Sequence, residues 1–154
     1  MNAPAIPGLE PAFRVEARLG AMEDHGTTRA GHRRVVPIVG GTVTGLFDAE
    51  ILPGGADWQV VRPDGAIEID TRYSARTAEG AYVYLTTFGV RSGSPEVLAA
   101  LLRGDPVDAA EYYFRLGVRL ETSAPELAEL EHTIFVASAL RDADRIRYTA
   151  YRVT

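Results

Sequence analysis

The segment Arg62-Pro63-Asp64-Gly65 constrains this chain more than any other. Proline sets φ at the first corner of a type I turn, aspartate can accept from the backbone two residues on, and glycine supplies the positive φ of a bulge. Residues 57–62 and 66–73 flank it with strand character, so 57–73 reads as a β-hairpin. With a bulge at Gly65, Arg62 opposes Ala66, Val60 opposes Glu68 and Trp58 opposes Asp70. One face then gathers Trp58, Asp70 and Arg72, and the other gathers Asp57, Gln59, Val61, Ile67, Ile69, Thr71 and Tyr73. A one-residue slip would instead set Asp57 against Asp70, and repulsion between the two carboxylates would raise one pKa toward the range of a general acid. The Pro-Asp-Gly turn favours the bulged register.

The remaining chain has the same strand character. Phe13, Val15, Ala17 and Leu19 alternate with charged residues, and residues 32–39 form a β-branched run interrupted by Pro37, which suits an edge or a bulge. Residues 23–31 are polar with two glycines and read as a loop. The pairs Gly40-Gly41 and Gly54-Gly55 each introduce a new strand, as at barrel corners. Further strands are expected over 81–88, 112–121, 133–140 and 146–153. Helix is confined to Ser94-Pro95-Glu96 onward, stopped by Gly104, to a short turn capped by Asp108, and to 125–130. About eight to ten short strands in one domain predict an all-β fold with small helical insertions, a closed or nearly closed antiparallel barrel. Residues 1–10 are expected to be a flexible N-terminal segment before a single domain over 11–154.

Composition removes whole classes of chemistry. The chain has no cysteine, so thiolate nucleophiles, disulfides and zinc-thiolate sites are excluded. It also has no lysine; all sixteen basic side chains are arginine, and Schiff-base chemistry on a lysine is excluded with it. A net charge of -5 with scattered arginines argues against nucleic acid as a partner. The first eleven residues lack the charged and apolar regions of a signal peptide, and no apolar run is long enough to span a bilayer. A cytoplasmic location without a membrane partner is therefore expected. His25, His32 and His132 lack metal-ligand spacing, and Gly54-Gly55 lacks the lysine and helix of a phosphate loop, so no cofactor or metal is expected.

Several segments carry a family likeness. They are Arg33-Arg34-Val35-Val36-Pro37-Ile38 with Gly40-Gly41, Pro53-Gly54-Gly55-Ala56-Asp57-Trp58-Gln59 with Arg62-Pro63-Asp64-Gly65, Asp70-Thr71-Arg72-Tyr73, Tyr113-Phe114-Arg115, and Leu120-Glu121-Thr122. In order and spacing they resemble the bacterial and fungal family called domain of unknown function 3237. The resemblance implies a β-barrel lipocalin-like in outline, assembling as a homo-oligomer, most simply a dimer, with no settled activity. Leu120 stands where that family more often has phenylalanine, which bears on ligand size beside Glu121.

Candidate site residues come from the motif strands. Asp70 and Tyr113 are the candidate catalytic groups; Arg34, Asp57, Trp58, Arg72, Tyr82, Tyr84, Arg115 and Glu121 are the candidate substrate-binding groups. Asp70 with Arg72 forms either a pocket pair or an ion pair on a solvated face. Tyr113 with Arg115 either holds a carboxylate, enolate or phenolate or caps a barrel end. Trp58 is either a core residue or a stacking platform, Tyr82 and Tyr84 either line or fill a cavity, and only one of Arg33 and Arg34 can face a lumen. The expected function is binding of a small-molecule ligand. A cofactor-free isomerase, cyclase or lyase would move a proton on a carbonyl-containing or aromatic metabolite, while a carrier would only hold it. A structural homo-oligomer is the third reading. Convergence of Asp70, Arg72, Tyr113 and Arg115 on one cavity separates the pocket readings from the structural one.

Overall fold

The computed structural model describes residues 2–154. Ten antiparallel strands are β1 (Leu9–Leu19), β2 (Glu23–Thr28), β3 (Gly31–Gly45), β4 (Ala49–Ile51), β5 (Gly55–Val61), β6 (Ile67–Thr77), β7 (Tyr82–Ser92), β8 (Tyr113–Thr122), β9 (Phe135–Arg141) and β10 (Arg145–Val153). They follow the order β1-β10-β9-β8-β7-β6-β4-β3-β2, and pairing of β1 with β3 closes the sheet. The short strands β4 and β5 lie successively between β3 and β6, so the closed wall has eight staves. The fold is the closed antiparallel barrel that the strand count predicts.

The hairpin adopts the bulged register. Val60 pairs with Glu68, Val61 with Ile67 and Asp57 with Thr71, while the Arg62 amide donates to the Ala66 carbonyl at 2.8 Å. Gly65 has φ +88° and donates to the Arg62 carbonyl at 2.9 Å, and Asp64 Oδ1 accepts from the Ala66 amide at 3.0 Å.

Two local expectations are corrected, and one short strand is added. Residues 23–28 form β2 rather than a loop, because β3 extends beyond the end of β1 and offers a free edge there. That strand is exposed along almost its whole length, so it leaves no hydrophobic alternation in the sequence. Gly40-Gly41 does not start a new strand but lies inside β3. There Leu19 pairs with Ile38 and Arg18 with Gly40, so Val39 bulges outward and the inward parity switches. Residues 49–51 add β4, too short to show a pattern. Pro37 sits between the last β1 pair, Leu19 with Ile38, and the first β2 pair, Glu23 with Val35, where no strand needs its missing amide.

The helix α1 (Pro95–Arg103) begins where Ser94 Oγ accepts from the Val97 amide at 3.2 Å and ends at Gly104 with φ +83°. It belongs to the β7–β8 connection and buries Leu101 against the core. At the opposite end Phe13 packs on Phe47 and Phe135, with ring centres 5.5 and 5.3 Å away. The Thr154 amide donates to the Gly8 carbonyl at 3.0 Å and the Gly8 amide donates to Thr154 Oγ1 at 3.1 Å, tying the two ends of the described chain together. Among the described residues no helix is long and apolar enough to cross a membrane.

Gly41 and Gly65 both have positive φ but differ in surroundings. A Cβ on Gly41 would collide with the Glu16 carbonyl of β1, whereas one on Gly65 would meet open space. Alanine at either position should show the backbone strain, and Gly41→Ala should cost roughly 1 to 3 kcal/mol more than Gly65→Ala by forcing the closing seam apart. Urea denaturation of the two variants measures the difference. Equal costs would mean that β1 and β3 do not approach so closely.

Candidate functional site

Because the barrel is closed, alternate residues of every stave must point into its interior. On β6 these are Ile67, Ile69, Thr71, Tyr73, Ala75 and Thr77, all buried. On β5 Asp57 and Gln59 line the interior cavity, on β7 Thr87 does so, on β9 Arg141, and on β10 Ile146 and Tyr148. The same alternation carries Arg34 inward ahead of Val36 and Ile38, and Arg91 inward beyond Leu85 and Thr87. The polar inward residues at this end of the staves thus collect in one layer beneath the α1 connection.

The cavity itself is narrow. It has about 30 Å³ of room, space for one or two waters, and the unfilled space including its mouth and the gaps between lining atoms comes to about 450 Å³. Ala17, Leu19, Ile38, Ile69, Phe114 and Leu116 make its walls apolar. The polar groups are few and confined to certain positions, as in small-molecule sites.

Asp57 is the carboxylate of this layer. Gln59 Nε2 donates to its Oδ2 at 2.8 Å and the Asp70 amide donates to its Oδ1 at 3.1 Å. Burial pushes the Asp57 carboxyl above the ordinary aspartate range, against the opposing pull of these donors, Arg91 and the Thr71 hydroxyl. Arg34, Arg91 and Arg141 all lie within electrostatic reach of it. Burial lowers the pKa of all three guanidinium groups, that of Arg91 to about 10, so each remains charged at neutral pH.

Asp57 therefore has three cations within electrostatic reach, of which Arg34 also has the exposed Asp24 nearby. Arg91 is 4% exposed and stacks 5.1 Å from the Phe114 ring centre, yet its Nε and Nη1 have no hydrogen-bond partner among the described residues. Arg34 Nε is likewise buried without a partner. Arg141 Nε donates to the Asp142 carbonyl at 2.9 Å, and its backbone amide donates to Tyr112 Oη at 3.0 Å. Buried charges are ordinarily paired, so excess positive charge with free N–H groups is an arrangement suited to an anion. Among the described residues no group of three or more His, Asp or Glu side chains is placed to hold a metal ion.

Of the ten residues singled out from sequence, Arg34 and Asp57 point into this layer. The other eight lie on the outer face and do not converge. Asp70 Oδ1 lies 3.6 Å from Arg72 Nη2 in a half-exposed ion pair, and Arg72 stacks over Trp58 at 5.9 Å. Tyr113 is 54% exposed beneath Arg115, Tyr82 lies under Arg76, and Tyr84 and Glu121 are exposed. Asp70, Arg72, Tyr113 and Arg115 thus do not converge on a cavity, and the pocket readings lose the support that these four residues would have given them. The physical reason is that Ile67 and Ile69 share the parity of Thr71, so burying them turns Asp70 and Arg72 outward. Asp70 reaches the interior only through its amide, which supports Asp57.

Sequence reasoning missed Gln59, Thr71, Tyr73, Thr87, Arg91, Tyr112, Arg141 and Tyr148. A signal was present: each polar residue continues the odd or even series of its buried neighbours, as Arg141 continues Phe135, Ala137 and Ala139.

Comparison with known proteins gives the chain relatives but no activity. The family model described as a protein of unknown function (DUF3237) matches residues 7–153. A UPF0311 protein of Bradyrhizobium diazoefficiens is 43% identical over 92% of this chain and 93% of its own length. The crystal structure of a conserved protein of unknown function from Rhodopseudomonas palustris matches with a TM-score of 0.92 and 38% identity, covering 99% of this chain and all of that one. A β-barrel-like protein from Acinetobacter baumannii matches with a TM-score of 0.86 and 41% identity over the whole of both chains. An enzyme from Penicillium herquei shares the fold, with a TM-score of 0.73 at 18% identity over 100% of this chain and 99% of that one.

Two measurements check the electrostatics of the layer. Arg91→Met removes a costly buried cation, so the ligand-free variant should be as stable as wild type or more so, by up to about 4 kcal/mol. A loss of several kcal/mol in urea denaturation would make Arg91 a structural partner instead. Asp57 has its pKa raised by folding, so its stabilising contribution is present while it is protonated and is lost as pH rises through the folded value. Relative to Asp57→Asn, which cannot ionise, wild type should lose stability as pH climbs from about 4 toward neutrality. A difference that is flat or grows over that range would contradict the desolvation of Asp57.

Proposed function

The chain belongs to the DUF3237 family of proteins of unknown function, and from its interior we propose that it binds a slender anionic metabolite inside the barrel and moves a proton on it with Asp57. The observation that carries this reading is one desolvated carboxylate with two buried guanidinium groups and a half-buried third within electrostatic reach, beside a narrow apolar cavity that Asp57 and Arg141 line. Arg141 lines the cavity, and Arg34 and Arg91 lie within electrostatic reach of it outside that lining, a cationic field for a carboxylate, phenolate or enolate.

Asp57 fits proton transfer because burial raises its pKa, which makes its carboxylate a stronger base than a solvated aspartate. In the proposed step the carboxylate takes a proton from carbon adjacent to a carbonyl, and the electron pair passes to the carbonyl oxygen as an enolate. Returning the proton to a different carbon isomerises the substrate, and no oxidant or co-reactant is required. The neighbouring arginines stabilise the negative charge that develops.

The experiment combines binding with exchange. Small aromatic and keto carboxylates should raise the melting temperature of wild type, with a shift that grows with concentration. NMR in deuterated water should then show exchange of hydrogens adjacent to the carbonyl of a bound keto acid. Asp57→Asn should keep the binding and lose at least about a hundredfold in exchange rate. Arg141→Met should lose both, and Asp70→Asn should change neither. Binding without exchange in wild type would leave a carrier, and ligand protection that ignores Arg141→Met would place the binding site elsewhere.

A further inference from the structure

The floor of the cavity holds two phenols that the proposed reaction has not used. Tyr73 comes from β6 and Tyr148 from β10, staves that do not pair with one another, and their hydroxyls meet at 2.5 Å across the lumen. Both rings are buried and both line the cavity. Beyond them the interior is filled solid by residues such as Ala75, Val83, Leu85 and Ala150, all at 0% exposure. The pair is a crossbar on which the cavity ends.

Counting hydrogens gives the crossbar a function. Each phenol carries one hydroxyl hydrogen, and a hydroxyl–hydroxyl contact uses only one of the two. Among the described residues neither hydroxyl makes another hydrogen bond, so the second hydrogen has no protein acceptor and its open side is the cavity. Burial raises the pKa of both phenols, which keeps them neutral and therefore donors at neutral pH. We infer that the Tyr73–Tyr148 pair is a carbonyl-binding site at the cavity floor, donating one hydrogen bond to a ligand oxygen.

This inference rests on the anion-binding reading of the arginine layer, and it narrows the ligand class. Thr71 opposes Asp57, and Tyr73 lies two residues deeper on the same strand; Ile146 opposes Arg141, and Tyr148 lies two residues deeper. Two residues of strand span about 7 Å, so the phenols lie about that far below the Asp57 and Arg141 layer. The walls between are apolar, formed by residues such as Ile38, Ile69 and Leu116. A ligand that uses both ends has an anionic group at the mouth, a flat apolar body, and a carbonyl oxygen at its far end. An aryl ketone or aldehyde bearing a carboxylate has this form, and it enters by parting the apolar walls, because the ligand-free cavity has room for one or two waters only.

The test uses 4-acetylbenzoate and 4-isopropylbenzoate, which share the anion and nearly the same shape but differ in the carbonyl oxygen. Removing both hydroxyls with Tyr73→Phe/Tyr148→Phe leaves no phenol without its partner, so the double variant should fold, whereas a single variant leaves one hydroxyl unpaired. Wild type should prefer the acetyl compound by about tenfold in Kd, and the double variant should bind both equally while keeping the wild-type affinity for the isopropyl compound. Each single variant, checked for folding by circular dichroism, should retain part of the preference, since one phenol remains. A full preference in the folded double variant, or no preference in wild type, would overturn the carbonyl site while leaving the arginine layer intact. Binding that is unaffected by Arg141→Met, or no binding of either compound to wild type, would remove the anion reading and this inference with it.

Discussion

Closure of the sheet between β1 and β3 is the constraint on which the interior depends. An open sheet could leave one face to water, but a closed one sends alternate residues of all eight staves into a space that must be filled or satisfied. Half of the lumen is filled in the ordinary way, by Phe13, Phe47 and Phe135 and the small residues behind them. The other half is not. There the inward positions carry arginine, aspartate, glutamine, threonine and tyrosine, and the space between them stays partly empty.

That division has an energetic consequence. Burying Arg34 and Arg91 and half-burying Arg141 around Asp57 costs more than the apolar residues that would fit the same positions, and the unpartnered nitrogens of Arg34 and Arg91 add to the cost. Stability alone would not arrange the layer in this way. A bound anion would neutralise the excess charge and supply the missing acceptors, so ligand binding and folding are linked through the same groups. The outer arginines are of another kind: Arg72, Arg115 and Arg119 lie over aromatic rings of the barrel wall and remain exposed, where they cost little.

Much of this architecture was legible in the chain. The Pro63-Asp64-Gly65 turn fixed the register of its hairpin, and the register fixed which residues share a face. What it left open was which face turns inward, since both carry acid and aromatic groups. The deciding information lies in Ile67 and Ile69, whose burial takes Asp57, Gln59, Thr71 and Tyr73 inside and leaves Asp70 and Arg72 outside. The arginine layer could not be read from spacing, because Arg34, Arg91 and Arg141 are far apart along the chain and meet only when the barrel closes. β2 was hidden for the opposite reason: an exposed strand that pairs with a free edge has no buried face to reveal it.

The central claim is that the interior arginine layer is an anion site, and anomalous diffraction from crystals soaked in bromide tests it most directly. Bromide is small enough for the narrow cavity and reports its own position without reference to any presumed substrate. The account predicts an anomalous peak inside the barrel within contact distance of Arg141 and beside Arg34 or Arg91, absent in crystals of Arg141→Met. Peaks confined to the outer arginines, with none in the lumen at any bromide concentration, would contradict it.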